Sequence, residues 1–314
     1  MSKTGVMICG HGSRDEEAVA EFQSLARGMR ERLPQYDVES GFLEFARPTI
    51  HEGLEKLVKR GITEIFAVPA MLFAAGHVKN DIPWELNSFA ASHPEISLSC
   101  GRDLSIDPKL LVAARDRIQA AMETAGDSVP AADTLLMVVG RGTNDPDANS
   151  NVSKVARMLW EGIDMGWAEV CYSGVAYPHV DEGLERVAAM SFRRIIVFPY
   201  FLFTGVLVKR IYAQMAEVAA NHPDTEFVAA SYFNDHPKVL DSLAERVTGI
   251  GEGDNAMNCM LCKYREQVVG FEDAKGQTQA GHHHHVRGIG ADHGHDHDHD
   301  HGHNHNNSSV KESA

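Results

Sequence analysis

Three side chains able to bind a metal or carry a proton each stand just past an apolar run in the first third of the chain. They are His11 in MICGHGSRD (residues 7–15), Glu44 after the run 38–43, and His77 at the end of PAMLFAAGH (residues 69–77). Imidazoles suit borderline divalent ions such as cobalt, nickel or iron(II). They also titrate near neutrality and so can accept protons. Glu44 can take a proton or orient a histidine. Two histidines leave most coordination positions open, unlike a closed structural zinc site. Open coordination suits a site that takes up a metal and passes it on.

The same frame returns 130 residues later, as MVVGRGTND (residues 137–145). FARPTIHEGLE (45–55) faces VAYPHVDEGLE (175–185), and IFAVPAMLF (65–73) faces IIVFPYFLF (195–203) at that offset. Val78-Lys79 likewise faces Val208-Lys209. Three separated blocks at one offset indicate an internal duplication, with halves at 1–126 and 131–250. The counterparts of His11, Glu44 and His77 are Arg141, Gly174 and Leu207. Taken singly, each of the three has a plain structural reading: a loop hydrogen-bonder, a solvated carboxylate, a helix start. Their joint absence from the second half favours function in the first.

Each half alternates short β-branched runs with helical periods. In the first half the expected strands are 4–9, 38–43, 64–68 and 96–100. Ala18, Phe22, Leu25, Met29 and Leu33 recur at helical spacing between two of them. Ser13 and Glu16 read as a capping box for that helix, and Asp107-Pro108 as an N-cap with proline in the first turn. The fold class is therefore α/β, two duplicated halves each with a parallel sheet flanked by helices, followed by a C-terminal tail expected to be disordered. In such sheets ligands bind beyond the carboxyl ends of the strands, where His11, Glu44 and His77 fall.

At 314 residues, 43% apolar and 23% charged, the composition is that of a water-soluble globular chain. The N-terminus has no signal-peptide pattern and no apolar run has membrane-spanning length, so a cytoplasmic location is expected. A net charge of -15 argues against nucleic-acid or membrane partners. Cys9, Cys100 and Cys171 fall on expected strands as small buried residues. Cys259 and Cys262 form a CxxC pair, which supplies two of the four ligands of a tetrahedral site. A cluster there would draw its other ligands from a second subunit in a homodimer, or from the tail.

The region 251–314 carries eleven of the eighteen histidines: His282, His283, His284, His285, His293, His295, His297, His299, His301, His303 and His305. So many imidazoles within a few residues bind metal, for storage, delivery or scavenging.

The segments GHGSR (10–14), Glu44 to Pro48 and PAMLFAAGH (69–77) resemble the class II tetrapyrrole chelatases. Within them the chain is most similar to the long-form sirohydrochlorin cobaltochelatases of the CbiX family. The likeness covers both halves and extends to the MxCxxC segment and the histidine-rich tail. It implies insertion of Co2+ into sirohydrochlorin in cobalamin biosynthesis, with two protons released. By that resemblance His11 and His77 bind the metal and accept pyrrole protons, and Glu44 assists. Arg47 and the loop Leu72, Phe73, Ala74, Ala75 and Gly76 would line the macrocycle pocket. The resemblance also favours an iron–sulfur cluster over zinc at Cys259 and Cys262.

Sirohydrochlorin is a polycarboxylate, so an acidic protein needs a local positive rim. Arg14, Arg47, Lys79, Arg141 and Lys209 are the candidates. Met71, Leu72, Phe73, Leu202 and Phe203 are candidates for an apolar cleft floor, or else for plain core. Iron or nickel as the inserted metal stays open, as does a metal-buffering or metallochaperone role. A buffer, however, has no use for a paired-half cleft with a one-sided site.

Overall fold

The computed structural model describes residues 4–278. The expected metal-binding histidines from 282 to 305 lie outside the described residues.

In the first half β1 (Thr4–Gly10), α1 (Glu16–Arg32), β2 (Asp37–Phe42), α2 (Ile50–Lys59) and β3 (Glu64–Pro69) follow in order. A π-helical turn (His77–Asp81) then leads into α3 (Ile82–Ser92), β4 (Ser97–Cys100) and α4 (Pro108–Ala125). The second half repeats this as β5 (Thr134–Gly140), α5 (Pro146–Gly162), β6 (Trp167–Tyr172) and α6 (Val180–Ala188). It closes with β7 (Arg194–Pro199), α7 (Val206–Asn221), β8 (Glu226–Ala229) and α8 (Pro237–Glu252).

The two parallel sheets have orders β2-β1-β3-β4 and β6-β5-β7-β8. Their registers keep the 130-residue offset: Gly10 pairs with Phe42, and Gly140 with Tyr172. The duplication is thus preserved in strand pairing as well as in sequence.

Alternation along each strand builds two kinds of core. Val6 and Ile8 face a cluster that also holds Leu136, Val138, Ile196 and Phe198 of the other half. Met7 and Cys9 face a cluster confined to the first half, as Met137 and Val139 do in the second. The halves therefore share one buried apolar face. Their last helices cross over to strengthen it: α4 packs on β7, β8 and α5, while α8 packs on β3 and α1.

One expected cap is replaced. The side chain that accepts from Glu17 N–H is Asp15, and the Ser13 hydroxyl accepts from Asp15 N–H one turn earlier. A shorter reach from Asp15 wins over the Ser13–Glu16 box. The Asp107 cap with Pro108 is as expected.

The seam carries a reciprocal set of ion pairs. Lys79 Nζ reaches Asp145 at 2.9 Å and Asp147 at 3.1 Å in the other half. At the 130-residue offset, Lys209 Nζ reaches back to Asp15 and Glu17, both at 2.7 Å. Such reciprocity is the signature of a two-fold interface, here between duplicated halves of one chain. Neither lysine is the loose rim cation expected from sequence, because each is committed to carboxylates across the seam. The copies differ in burial: the Lys79 side chain is 3% exposed and that of Lys209 is 52% exposed. Burial alone would lower the Lys79 pKa, but Asp145 and Asp147 outweigh it and hold it above the ordinary value.

The region expected as tail, 251–314, begins where α8 ends at Glu252. After α8 the chain touches both halves again between residues 254 and 263. Asp254 pairs with Arg102, and Asn255 donates to the Cys100 carbonyl. Asn258 Nδ2 donates to Asp147 Oδ1 at 3.0 Å, and Lys263 Nζ to the Asn144 carbonyl at 3.0 Å. These polar contacts have no hydrophobic period and so leave no pattern in the chain.

Lys79→Met should strand two buried carboxylates and destabilise the fold by about 3–5 kcal/mol. Lys209→Met should lower stability far less, because water already solvates that copy. Urea unfolding of both variants reads the difference, and equal losses would contradict the asymmetry of the seam.

Candidate active site

The site is assembled from the ends of β1, β2 and β3. The β1–β2 ladder runs on past the strands: Leu43 N–H donates to the Gly10 carbonyl and Glu44 N–H to the His11 carbonyl at 3.0 Å. That bond sets Glu44 beside His11. Gly12, at φ +100°, makes the approach feasible, since a Cβ there would lie 1.7 Å from the Glu44 carbonyl oxygen. Phe45 follows at φ +65°, a left-handed conformation uncommon for a bulky residue, with its ring 5.9 Å from that of His11.

His77 opens the π-helical turn at the N-terminal end of α3. Such wide turns recur at functional sites. Its Nδ1 lies 2.6 Å from Asp81 Oδ2, and Asp81 is buried. A carboxylate accepts, so His77 Nδ1 carries the proton and Nε2 presents a lone pair. The same logic applies to His11, whose Nδ1 lies 2.9 Å from the Gly12 carbonyl. The two Nε2 atoms then converge at 3.1 Å, with Glu44 Oε1 3.3 Å from His11 Nε2. Three acceptor atoms within 4.8 Å of one another repel unless a cation lies among them. Ordered ring protons behind them are the outer support that metal-ligating histidines use.

The set opens on a cavity of about 530 Å³ between the halves. The lining positions come in offset pairs: Leu72 with Leu202, Phe73 with Phe203, Val78 with Val208. The cavity therefore lies on the pseudo-two-fold axis, while the acceptor set lies to one side of it. Its walls interlock aromatically, with Phe73 stacked on Tyr200 (5.5 Å between centroids) and Phe22 edge-on to Phe203. Met71 lines it as well, so all five expected floor residues do.

The second half keeps the backbone and not the chemistry. Arg141 replaces His11 and lines the cavity, as does Leu207 in place of His77. At Gly174 a Cβ would lie 2.4 Å from the Arg141 carbonyl, so the position of Glu44 has closed to any side chain. Arg141 is exposed to solvent while lining the cavity. The protein packed around its guanidinium nevertheless lowers its pKa, and the charge of Glu44 acts in the opposite sense.

The CbiX family model matches residues 5–121 and 135–250, one match per half. The chain belongs to the CbiX family. A sirohydrochlorin cobaltochelatase of Priestia megaterium is 37% identical over 85% of this chain and 87% of that protein. A sirohydrochlorin ferrochelatase of Bacillus subtilis (strain 168) is 31% identical over 78% of this chain and 91% of its own. Among solved structures, SirB from Bacillus subtilis with Fe3+ superposes with a TM-score of 0.71 at 28% identity, covering 82% of this chain and all of that one. A cobalt complex of SirB from Bacillus subtilis subspecies spizizenii gives a TM-score of 0.66 at 29% identity, covering 80% and 96%.

In this CbiX-family chain the loop 72–76 is split in its orientation. Leu72, Phe73 and Ala75 line the cavity. Ala74 is buried, its N–H donating to Asp103 Oδ2 at 2.9 Å, and Gly76 caps the π-helical turn outside the lining. Arg47 is also outside it and lies 3.8 Å from Glu52.

Cys259 and Cys262 collect no third His, Cys, Asp or Glu ligand among the described residues. The donor set present falls two short of an iron–sulfur or zinc site. Burial pushes the thiol of Cys100 up to about 11, that of Cys171 up to about 12 and that of Cys9 well above its usual value, which makes them inert. Cys9 and Cys171 are buried as expected, Cys100 only in part.

Sequence reasoning missed Asp81, although its i,i+4 spacing from His77 was available as a signal. It also missed Asp103 and Arg246, which lie 143 residues apart with no local signal. Arg246 Nε donates to the Asp103 carbonyl at 3.0 Å, and its Nη2 to the Leu104 carbonyl and Asp107 Oδ2. Helix α8 of the second half thus steadies the turn that holds the Ala74 loop of the first.

Burial pushes the Asp103 carboxyl up to about 6, against the opposing pull of the Ala74 N–H and Arg246. A raised acid pKa means the folded state holds the proton longer, so this group's contribution to stability falls as pH rises from about 4 to about 6. Asp103→Asn keeps an acceptor for Ala74 N–H and removes the charge. Relative to wild type it should be neutral near pH 4 and gain up to about 2–3 kcal/mol above pH 6. Urea midpoints across that range check this, and a pH-independent difference would refute it.

Proposed function

We propose that this chain inserts a divalent metal into sirohydrochlorin, with cobalt(II) as the metal. The observation that carries the reading is the His11–Glu44–His77 acceptor set, present in one half only and opening on an apolar cavity between the halves. His11 and His77 hold the incoming ion through Nε2, and Glu44 supplies a carboxylate oxygen. Both imidazoles are fixed from behind through Nδ1, so Nε2 cannot turn away. A planar macrocycle enters between walls such as Phe73 and Leu202.

The reaction exchanges one divalent cation for two pyrrole protons. When the metal leaves the histidines for the ring nitrogens, two lone pairs come free, and each can take one proton. The charge in the pocket is then the same before and after transfer. Glu44 stabilises whichever cation is present. Solvent then removes the protons and a new ion can bind.

Cobalt is favoured over iron because the cobaltochelatase relative is the more similar of the two, at 37% against 31% identity. The long-form tail points the same way. Selectivity among cobalt, nickel and iron follows supply more than affinity, since nickel binds such a site more tightly than cobalt.

Purified protein mixed with sirohydrochlorin and Co2+, Fe2+ or Ni2+ in turn, followed by absorbance, tests the activity. Insertion should occur, fastest with cobalt. His11→Ala and His77→Ala should each lower the rate by about 100-fold or more, as expected for lost catalytic ligands, with the circular dichroism unchanged. Turnover near that of wild type in both variants would end this reading.

The histidine-rich tail raises local metal concentration and has no part in the chemistry. A chain ending at residue 278 keeps the seam contacts of Asn258 and Lys263. It should reach the maximal rate of the full chain while needing more free cobalt to do so. Loss of turnover at saturating cobalt would place the tail in the catalytic machinery.

A further inference from the structure

The cavity inverts the charge of the protein that contains it. The chain carries a net charge of -15, yet the lining residues include Arg14 and Arg141 and no Asp or Glu. Glu44 is directed at His11 instead. Elsewhere arginines are mostly committed: Arg32 to Asp241, Arg60 to Glu39, Arg246 to Asp107. Among the described residues neither Arg14 nor Arg141 makes an ion pair or a side-chain hydrogen bond, although the charge of Glu44 acts on Arg141 from a distance. Two uncommitted guanidiniums facing one cavity are groups available for a ligand.

Their placement is complementary. Arg14 comes from the first half, on the loop after β1, and its guanidinium carbon sits 5.0 Å over the Phe45 ring. That ring in turn lies against His11. The cation–π contact holds Arg14 in place while leaving its N–H donors unused. Arg141 comes from the second half, at the position that His11 occupies in the first. The pseudo-two-fold relation therefore brings Arg141 to the same cavity that His11 and His77 line, close enough to feel the charge of Glu44.

A flat macrocycle in an apolar slit can still rotate in its own plane, because ring-face contacts do not resist that motion. One edge contact leaves the rotation hinged, whereas two fix it. Guanidinium is suited to the task because its planar fork takes a carboxylate in two parallel hydrogen bonds.

We propose that Arg14 and Arg141 form a two-point carboxylate clamp, one arm from each half, that fixes the in-plane orientation of the macrocycle over His11 and His77. The clamp rests on the chelatase reading and adds the feature of the substrate that is recognised: its peripheral carboxylates. Arg141 then explains why the duplicated site lost its imidazole. The metal-binding position became a substrate-binding one.

The test uses the full chain and its R14Q, R141Q and R14Q/R141Q variants. Sirohydrochlorin is titrated into metal-free protein, and steady-state insertion of cobalt is measured alongside. Each single variant should weaken sirohydrochlorin binding by about 10- to 100-fold, the value of a hydrogen bond to a charged group. KM for the macrocycle should rise more than kcat falls. Co2+ alone, read from its visible absorbance, should still bind all three variants, at least as tightly where Arg141 is removed, which also shows that the site is folded. R141K should recover part of the loss, since a point charge replaces a fork. Methyl-esterified sirohydrochlorin should bind wild type more weakly, and R14Q/R141Q should feel esterification less. Wild-type affinity in the variants, or equal sensitivity to esterification in all proteins, overturns the clamp while leaving the chelatase reading intact. A wild-type protein that neither binds nor metallates sirohydrochlorin overturns both.

Discussion

Two imidazole nitrogens and a carboxylate oxygen, each offering a lone pair, are held within 4.8 Å of one another. Like acceptors repel, so the arrangement persists only because each group is fixed from behind. Asp81 takes the Nδ1 proton of His77, the Gly12 carbonyl takes that of His11, and the His11 carbonyl anchors the backbone of Glu44. A divalent ion or a pair of protons placed among them would relieve that repulsion. Much of the surrounding structure serves to keep those three atoms from relaxing apart.

The duplication supplies that rigidity. Each sheet turns one face into a core shared with the other half, and α4 and α8 each pack on the opposite half. The cavity follows from the same geometry, since it opens on the axis between two copies of one loop set. Once both halves are in a single chain, only one needs to keep ligands. The other is free to change, and here Arg141, Gly174 and Leu207 stand where the first half has His11, Glu44 and His77.

The seam is asymmetric in the same sense. Lys79, two residues beyond His77, is buried with Asp145 and Asp147, and the segment after α8 bonds to Asp147 and to the neighbouring Asn144 carbonyl. Its twin Lys209 lies open to water with Asp15 and Glu17. The half that carries the ligands is thus locked by desolvated charge, and the other edge of the cleft is joined by solvated charge. Desolvated pairs are costly to break, whereas solvated ones exchange readily with water.

The sequence by itself determined the strands, the helices between them, the duplication and the one-sided set His11, Glu44 and His77. Apolar period and a constant offset are local or self-referential signals, and strand-end positions in a parallel sheet have one place to converge. Only the tertiary structure decided which cations face the cleft. Lys79 and Lys209 read the same as Arg14 and Arg141 in sequence, but partners more than 60 residues away consume the lysines and leave those arginines uncommitted. It also decided that Ala74 turns inward to Asp103, that Arg47 lies beside Glu52, and that Asn258 and Lys263 bond across to Asp147 and Asn144. These depend on single polar contacts between distant segments. Such contacts leave no period in the chain, because one hydrogen bond constrains one residue and nothing around it.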